Sequence, residues 1–561
     1  MVNQEIDPRA AAHNAGMRIE SLPFAEIAGQ SKLFLDYIAD PPALKNFYPS
    51  ALASHTEIPL LIPEVLRRYQ VDRDALCDIL AEQNQRFGCG KKTLYSIELL
   101  RSQTTVAVLT GQQAGLFSGP LYTVYKALSA VKMAACLKAR GSGAVSVFWA
   151  ATEDHDFAEV SHAKIVSREV EVAKVTYRPA AYVEKSAVGS VPIDDSVRRA
   201  VSKLMANLPA TEFSVQTQEL LESAYVPGGT FGSSFAALIS RLFARYGVVV
   251  VDPMDAGLKR LASPIYQAAI ERSSEIVSAI RERSDELKDA GYHAQVTVGE
   301  DYFPLFWYDD EGRRLSLKTI DDDHVRVADT GEKFTLDDLK KAAESQPERF
   351  SPGVMLRPVV QDYLFPTACY FGGGAEIAYF AQNSEVYRVL GRPVTPILHR
   401  QSFTVIETRS AKALNNLGLT FADLFRGSDT LRASVVKHII DPQTASLFAD
   451  VEENVNTELH RLDQALSAID PTLAAGFAKR CRKMLYHISA TKIRFENVRL
   501  RKEETLERQL RSVSSNLLPH GQLQERTLNV SQFLDRYGMY FIDLIYQRID
   551  LDDRSHRVIY L

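Results

Sequence analysis

Residues 104–156 read TTVAVLTGQQAGLFSGPLYTVYKALSAVKMAACLKARGSGAVSVFWAATEDHD, and this stretch decides the fold. TTVAVL is a short β-branched, apolar run, TGQQAGLFSGP a glycine-punctuated loop, and LYTVYKALSAVKMAACLKA a strong helix former. A Gly-Ser-Gly turn then leads into a second apolar run, AVSVFWAA at 144–151. Strand, loop, helix, strand is the β-α-β unit of a parallel sheet, so the fold class is α/β.

A third strand of the same kind is GVVVVD at 247–252, reached through the helix-like FAALISRLFARY and followed by a helix after Pro253. Continuous apolar strands imply burial on both faces. Two segments break this rhythm. Residues 164–200 and 303–335 alternate polar and apolar, the second around an Asp-Glu-Gly turn, and read as antiparallel inserts at the periphery. Residues 1 to about 100 look helical, with breaks at Pro41-Pro42 and Pro63 and an amphipathic stretch from Pro63 to Leu80.

From Asp441-Pro442 the pattern changes again. Phe448, Val451, Val455, Leu459, Leu462, Leu466 and Ile469 recur at steps of three and four, as in a coiled coil. Asp470-Pro471 caps a second long helix to about Ser515, with Met484, Ile488, Phe495, Val498, Leu506, Leu510 and Val513 near one stripe. The two should pair antiparallel. The chain thus divides into a core over 1–440, a coiled-coil hairpin over 441–518 and a returning segment over 519–561.

Composition narrows the function. With 561 residues, 46% hydrophobic and 24% charged, the chain can bury a large core without staples. Its net charge of −5 offers no footprint for nucleic acid. Five scattered cysteines, without C-x-x-C pairs, suit a reduced, cytoplasmic protein. No leader-like or membrane-spanning stretch is apparent, so neither export nor a membrane is expected.

Three segments could carry chemistry. Thr110–Pro120 places Gly111, Gly115 and Gly119 at spacing four before the helix, whose N-terminal amides suit a phosphate or carboxylate. It matches neither G-x-G-x-x-G nor G-x-x-x-x-G-K-[ST], and a purely structural turn is the alternative. Glu153, Asp154, His155 and Asp156 follow the second strand, where close carboxylates and an imidazole can exchange protons; a solvated acidic loop is the bland alternative. Carboxylates suit Mg²⁺, yet adjacent residues cannot all converge on one ion. Finally, Arg357 and Gln361 precede Gly372-Gly373-Gly374, which opens a helix near Ala375 carrying Glu376 and Tyr379. Arg357 offers a fork for a carboxylate, although a buried arginine beside a cap would look the same.

TGQQAGLFSGPLYTVYKALSA, VFWAATEDHDFAEV and RPVVQDYLFPTACYFGGGAEIAYFAQ, in this order and ahead of a coiled coil, closely resemble the bacillithiol biosynthesis cysteine-adding enzyme family, BshC. The likeness covers nearly the whole chain. It implies a Rossmann-like core with inserted connecting segments and a coiled coil that forms a homodimer. It implies a ligase for the last step of bacillithiol synthesis, joining L-cysteine to the amino group of glucosaminyl-malate, with a cysteinyl adenylate as the expected activated form. ATP and Mg²⁺ are then the candidate cofactors; the zinc ligand set of the analogous mycothiol enzyme is not seen, and no zinc is expected.

On that reading Gln112, Gln113 and the Gly111–Gly119 loop shape the pocket for the activated carboxylate or a phosphate. Tyr122 and Lys126 stand one turn apart, Lys126 reaching an anion. His155 handles the amine proton, oriented by Asp154 or Asp156, and Glu153 is available for the cysteine ammonium. Arg357, beside Gln361, holds a carboxylate, and Gly372–Gly374 with Glu376 and Tyr379 form the opposite wall. Two other classes stay open: a metal-dependent amide hydrolase or deacetylase on an amino sugar, and a non-catalytic coiled-coil assembly protein with a nucleotide-binding core.

Overall fold

The structure is a computed structural model that describes residues 17–427, 431, 435, 442–502 and 504–561. At its centre lies a five-stranded, wholly parallel sheet. Strand β1 (Thr105–Gln113) leads through helix α1 (Tyr122–Ala139) to β2 (Gly143–Ala151), and β3 is Val249–Val251. Helix α2 (Ala256–Glu271) follows, and then β4 (Thr367–Gly372), helix α3 (Gly374–Val389) and β5 (Ile397–His399). The spatial order is β5-β4-β1-β2-β3.

The apolar runs are buried on both faces, as their composition requires. Ala107, Leu109, Val145, Val147 and Trp149 enter one core, while Val106, Val108, Phe148 and Ala150 face the opposite side. The chain winds from β1 outward to β3 and then returns to place β4 on the other flank of β1. That reversal makes a crevice at the carboxyl ends of β1 and β4, the place where open α/β sheets bind ligands.

Both inserts contain antiparallel structure. The first has a hairpin, His162–Val166 with Val172–Thr176, and then a helix at Ser196–Asn207. The second builds a five-stranded sheet in the order Lys333–Thr335, His324–Val327, Arg314–Thr319, Tyr302–Tyr308 and Phe350–Pro352. The N-terminal region departs from the all-helical expectation. Arg18–Leu22 is a strand paired with His556–Tyr560, and Pro63 lies inside the helix Ile58–Arg68 rather than starting one. The helix begins earlier because Ser54 and Glu57 form a capping box and Pro59 occupies its first turn. Residues 1–16 of that expectation lie outside the described residues.

Helices α4 (Pro442–Ile469) and α5 (Pro471–Lys502) pair antiparallel, with the rings of Phe448 and Phe495 5.4 Å apart. Phe448, Val455, Leu459 and Leu466 of α4 are half-buried, as are Cys481, Leu485 and Ile488 of α5. Val451, Leu462, Ile469, Met484 and Val498, expected in the seam, are exposed. A two-helix seam covers only a narrow stripe, so positions beside it face outward. Leu506, Leu510 and Val513 leave the hairpin altogether: the helix Glu504–Leu517 packs on Thr408–Asn416 in the body. Among the described residues no helix is long and apolar enough to cross a membrane.

Candidate active site

A cleft of about 480 Å³ opens at the carboxyl ends of β1, β2 and β4, under the antiparallel sheet. Gly111 sits where β1 crowds β2: a Cβ there would lie 2.8 Å from the carbonyl oxygen of Trp149. The loop beyond bends through three left-handed residues, Phe117 (φ 52°), Ser118 (φ 81°) and Gly119 (φ 71°). Two of these are not glycine, so the surroundings must hold the strain. Asn529 does so, donating from Nδ2 to the carbonyls of Phe117 (2.8 Å) and Gly119 (2.7 Å), and the Tyr225 hydroxyl accepts from the Phe117 amide (2.8 Å).

The expected anion cradle at this loop is not present in that form. The Leu121 amide donates to Leu528 O (2.8 Å) and those of Thr123 and Val124 to the preceding turn, so the first donors of α1 are already used. Gly115 and Gly119 border a side branch rather than the cleft itself. The second glycine turn behaves likewise, the Gly373 amide donating to Glu376 Oε2 at 2.8 Å. Gly373 and Gly374 line the cleft and Gly372 does not.

Three ion pairs form the frame. Lys126 of α1 is buried against Glu376 of α3 and also donates to Gly111 O and Gln112 Oε1, both at 2.9 Å. It therefore reaches the protein's own carboxylate rather than a free anion. Burial pulls the Lys126 pKa down against the pull of Glu376. Burial would raise that of Glu376, but Lys126, the Gly373 amide and the Tyr370 hydroxyl outweigh it, and the net direction is down. Glu153, expected to meet an ammonium ion, is paired with the buried Lys259 of α2. Arg400, just past β5, forks onto Glu525 at 2.9 and 2.6 Å.

Against this frame stand groups without opposite charge. Asp154 lines the cleft and, among the described residues, forms no ion pair with a lysine or arginine, accepting instead from Gln113 Nε2 (2.5 Å) and from the His155 amide (2.7 Å). Burial tends to raise its pKa, but these bonds and the field of Arg314 hold it below the usual carboxylate value. Arg314, Arg357 and Arg526 also line the cleft, and none is in an ion pair among the described residues. Arg357 donates to Tyr379 Oη (2.8 Å) and to Gln361 Oε1 (3.2 Å). Gln361 is therefore a fully buried support behind the arginine, not a wall residue. Tyr122 accepts from Gln112 (3.1 Å), and burial pushes its phenol up to about 12.

His155 and Asp156 fall outside the cleft. Asp156 caps the short helix Phe157–Val160 in solvent. His155 lies beside Phe306, with Nδ1 3.2 Å from Arg314 Nη1. An always-charged guanidinium can only donate, so Nδ1 accepts and the neutral ring carries its proton on Nε2. Burial, and then Arg314, lower the pKa of this histidine. The sequence did not single out Arg314, Arg400, Arg526, Lys259 or Glu525. Arg400 alone had a local signal, lying at the carboxyl end of a core strand.

Beneath the cleft His556 is enclosed, bonded to Ser402 Oγ (2.7 Å) and Thr404 Oγ1 (2.9 Å), and burial depresses its pKa from 6.5 to about 4. The folded protein then refuses a proton that the unfolded chain accepts, so stability should fall as pH drops from about 6.5 towards 4. The expected loss is about 2 kcal/mol by pH 5. Thermal unfolding at pH 7.5 and 5 checks this; His556→Gln should flatten the dependence, and an unchanged slope would contradict it.

Two family models cover the chain. "Bacillithiol biosynthesis BshC, N-terminal Rossmann-like domain" matches residues 17–401, and "Bacillithiol biosynthesis BshC, C-terminal coiled-coil domain" matches 403–561. A protein of Salinibacter ruber is 34% identical over 96% of this chain and 97% of its own length. One of Koribacter versatilis is 34% identical over 94% and 97%, and one of Geobacillus kaustophilus 31% over 87% and 91%. Each of the three carries the name "Putative cysteine ligase BshC".

Proposed function

The chain belongs to the bacillithiol biosynthesis BshC family, and from this membership and the cleft we propose that it is a cysteine ligase that joins the carboxyl group of L-cysteine to the amino group of glucosaminyl-malate. The observation that carries the assignment to this cleft is its charge pattern. Among the described residues the cleft wall carries one carboxylate without a lysine or arginine ion-pair partner, Asp154, and three arginines without carboxylate partners. Such a wall suits substrates that bring few ammonium groups and several carboxylates.

Amide formation needs an activated carboxyl group. ATP would supply it by adenylation: the cysteine carboxylate displaces pyrophosphate, and the sugar amine then displaces AMP, releasing one proton. The cleft's arginines fit the anionic groups of such substrates. Among the described residues no three His, Cys, Asp or Glu side chains gather to hold a metal ion, so no step is assigned to a protein-bound metal; Mg²⁺ would arrive on the nucleotide phosphates.

Within this scheme Asp154 orients the amine and takes its proton as the amide forms, and Gln113 and the His155 amide keep the carboxylate aimed. Arg357, held by Tyr379 and Gln361, binds a substrate carboxylate. His155 fixes Arg314 rather than moving the proton. Cysteine-dependent exchange of labelled pyrophosphate into ATP tests the activation step. Exchange supports adenylation; product formation without exchange or ATP consumption would contradict it.

The homodimer is also part of this reading. Leu447, Val451, Leu462 and Ile469 of α4 and Met484, Tyr486, Ile493 and Val498 of α5 leave apolar surface on the hairpin. Sedimentation should show a dimer that Leu462→Glu with Ile469→Glu converts to a monomer; an unchanged mass would contradict dimerisation through this surface.

A further inference from the structure

A side branch of about 100 Å³ opens off the cleft, sharing Gln112, Gln113, Tyr122 and Arg526 with it. One water needs only about 10–15 Å³ of such space, so the branch has room for a compact polar group. Its remaining charged lining is Lys164 and Glu159, with His162 beside them. Neither Lys164 nor Arg526 is in an ion pair among the described residues, whereas Glu159 already accepts from Gln113 at 3.2 Å. Burial, and then Lys174 and Lys164, lower the pKa of His162, so the ring is neutral and the branch carries a net positive charge at neutral pH.

Arg526 is exposed, but its backbone is rigidly placed. On one side Glu525 is enclosed by Arg400, Ser402 Oγ (2.7 Å) and the Phe403 amide (3.0 Å). On the other, Leu528 accepts from the Leu121 amide and Asn529 clamps the strained loop. A guanidinium on so fixed a platform, at the junction of two spaces and without a carboxylate partner among the described residues, suits an anion. With Thr527 it comes from the C-terminal family domain, whereas the other residues lining the branch come from the N-terminal one.

We propose that this branch is a subsite for a single anionic group, phosphate or carboxylate, held by Arg526 and Lys164, and that the C-terminal domain thereby completes the cleft. Its effect on turnover rests on the ligase reading; binding of the anion does not. Calorimetric titration of the full chain with inorganic phosphate, and separately with L-malate, tests it. At least one anion should bind, and Arg526→Ala and Lys164→Ala should each weaken it by about tenfold or more. Arg198→Ala, an exposed arginine that lines neither space, should not. Phosphate as the better ligand points to a phosphorylated substrate, malate to a carboxylate. Wild-type affinity in Arg526→Ala, or no binding of either anion, would overturn the subsite. Anion binding with these dependences but no ligation would leave the subsite standing and remove the ligase reading.

Discussion

Asp154→Asn is expected to lower turnover of cysteine and glucosaminyl-malate by roughly 10²-fold or more, with the KM of both changed far less. The amide keeps the shape and accepts from the His155 amide, so the loop after β2 should stay in place. What disappears is the cleft carboxylate that, among the described residues, forms no ion pair with a lysine or arginine. His155→Ala, by contrast, should cost less than about tenfold, because the ring stands outside the cleft and its Nδ1 faces Arg314. Steady-state rates for the two variants separate the roles. Equal and large losses would return the proton to His155, and normal turnover in Asp154→Asn would remove Asp154 from the chemistry. Because Asp154 titrates below the usual carboxylate range, it should set no limb of the rate profile above about pH 5.

Arg400→Met should destabilise the body by about 3–5 kcal/mol. The side chains of Arg400 and Glu525 are 5% and 1% exposed, and the arginine forks onto both carboxylate oxygens. Without it Glu525 retains only Ser402 and the Phe403 amide while remaining charged in the interior. For a body of this size the thermal midpoint should fall by about 5 °C. Adding Glu525→Gln removes the stranded charge and should recover much of the loss, the test that separates a charge effect from a packing effect. A single variant as stable as wild type, or a double variant no better than the single, would contradict this account. The pair also fixes the platform that carries Arg526, so anion affinity should fall alongside stability.

The central β-α-β unit was legible because its signals are local: apolar strands, a glycine-rich loop and a long helix within residues 104–156. The long helices of the hairpin were legible for the same reason, their break falling at Asp470-Pro471. The placement of β4 beside β1 is a long-range pairing, and with it came the position of the crevice. Glu153 and Lys126 were expected to meet a substrate ammonium and an anion, and both are paired within the protein instead. Their partners, Lys259 and Glu376, lie on other helices far along the chain, and no spacing rule connects them.

The arginines were missed for a related reason. Arg314 sits in an insert that looked peripheral, and its strand folds over the cleft. Arg526 lies beyond the coiled coil in a short helix without a motif. His155 looked reactive in a run of carboxylates. Three-dimensional placement turned its ring towards a guanidinium and left Glu153, paired with Lys259, and Asp154 lining the cleft.

The most direct measurement is mass spectrometry of the full chain with cysteine, glucosaminyl-malate, ATP and Mg²⁺, run beside Asp154→Asn. The account predicts the cysteinyl amide of glucosaminyl-malate and an equal amount of AMP from the wild type, and roughly 10²-fold less of both from the variant. No amide from the wild type, or release of free amine from an acylated sugar instead, would contradict a ligase in this cleft.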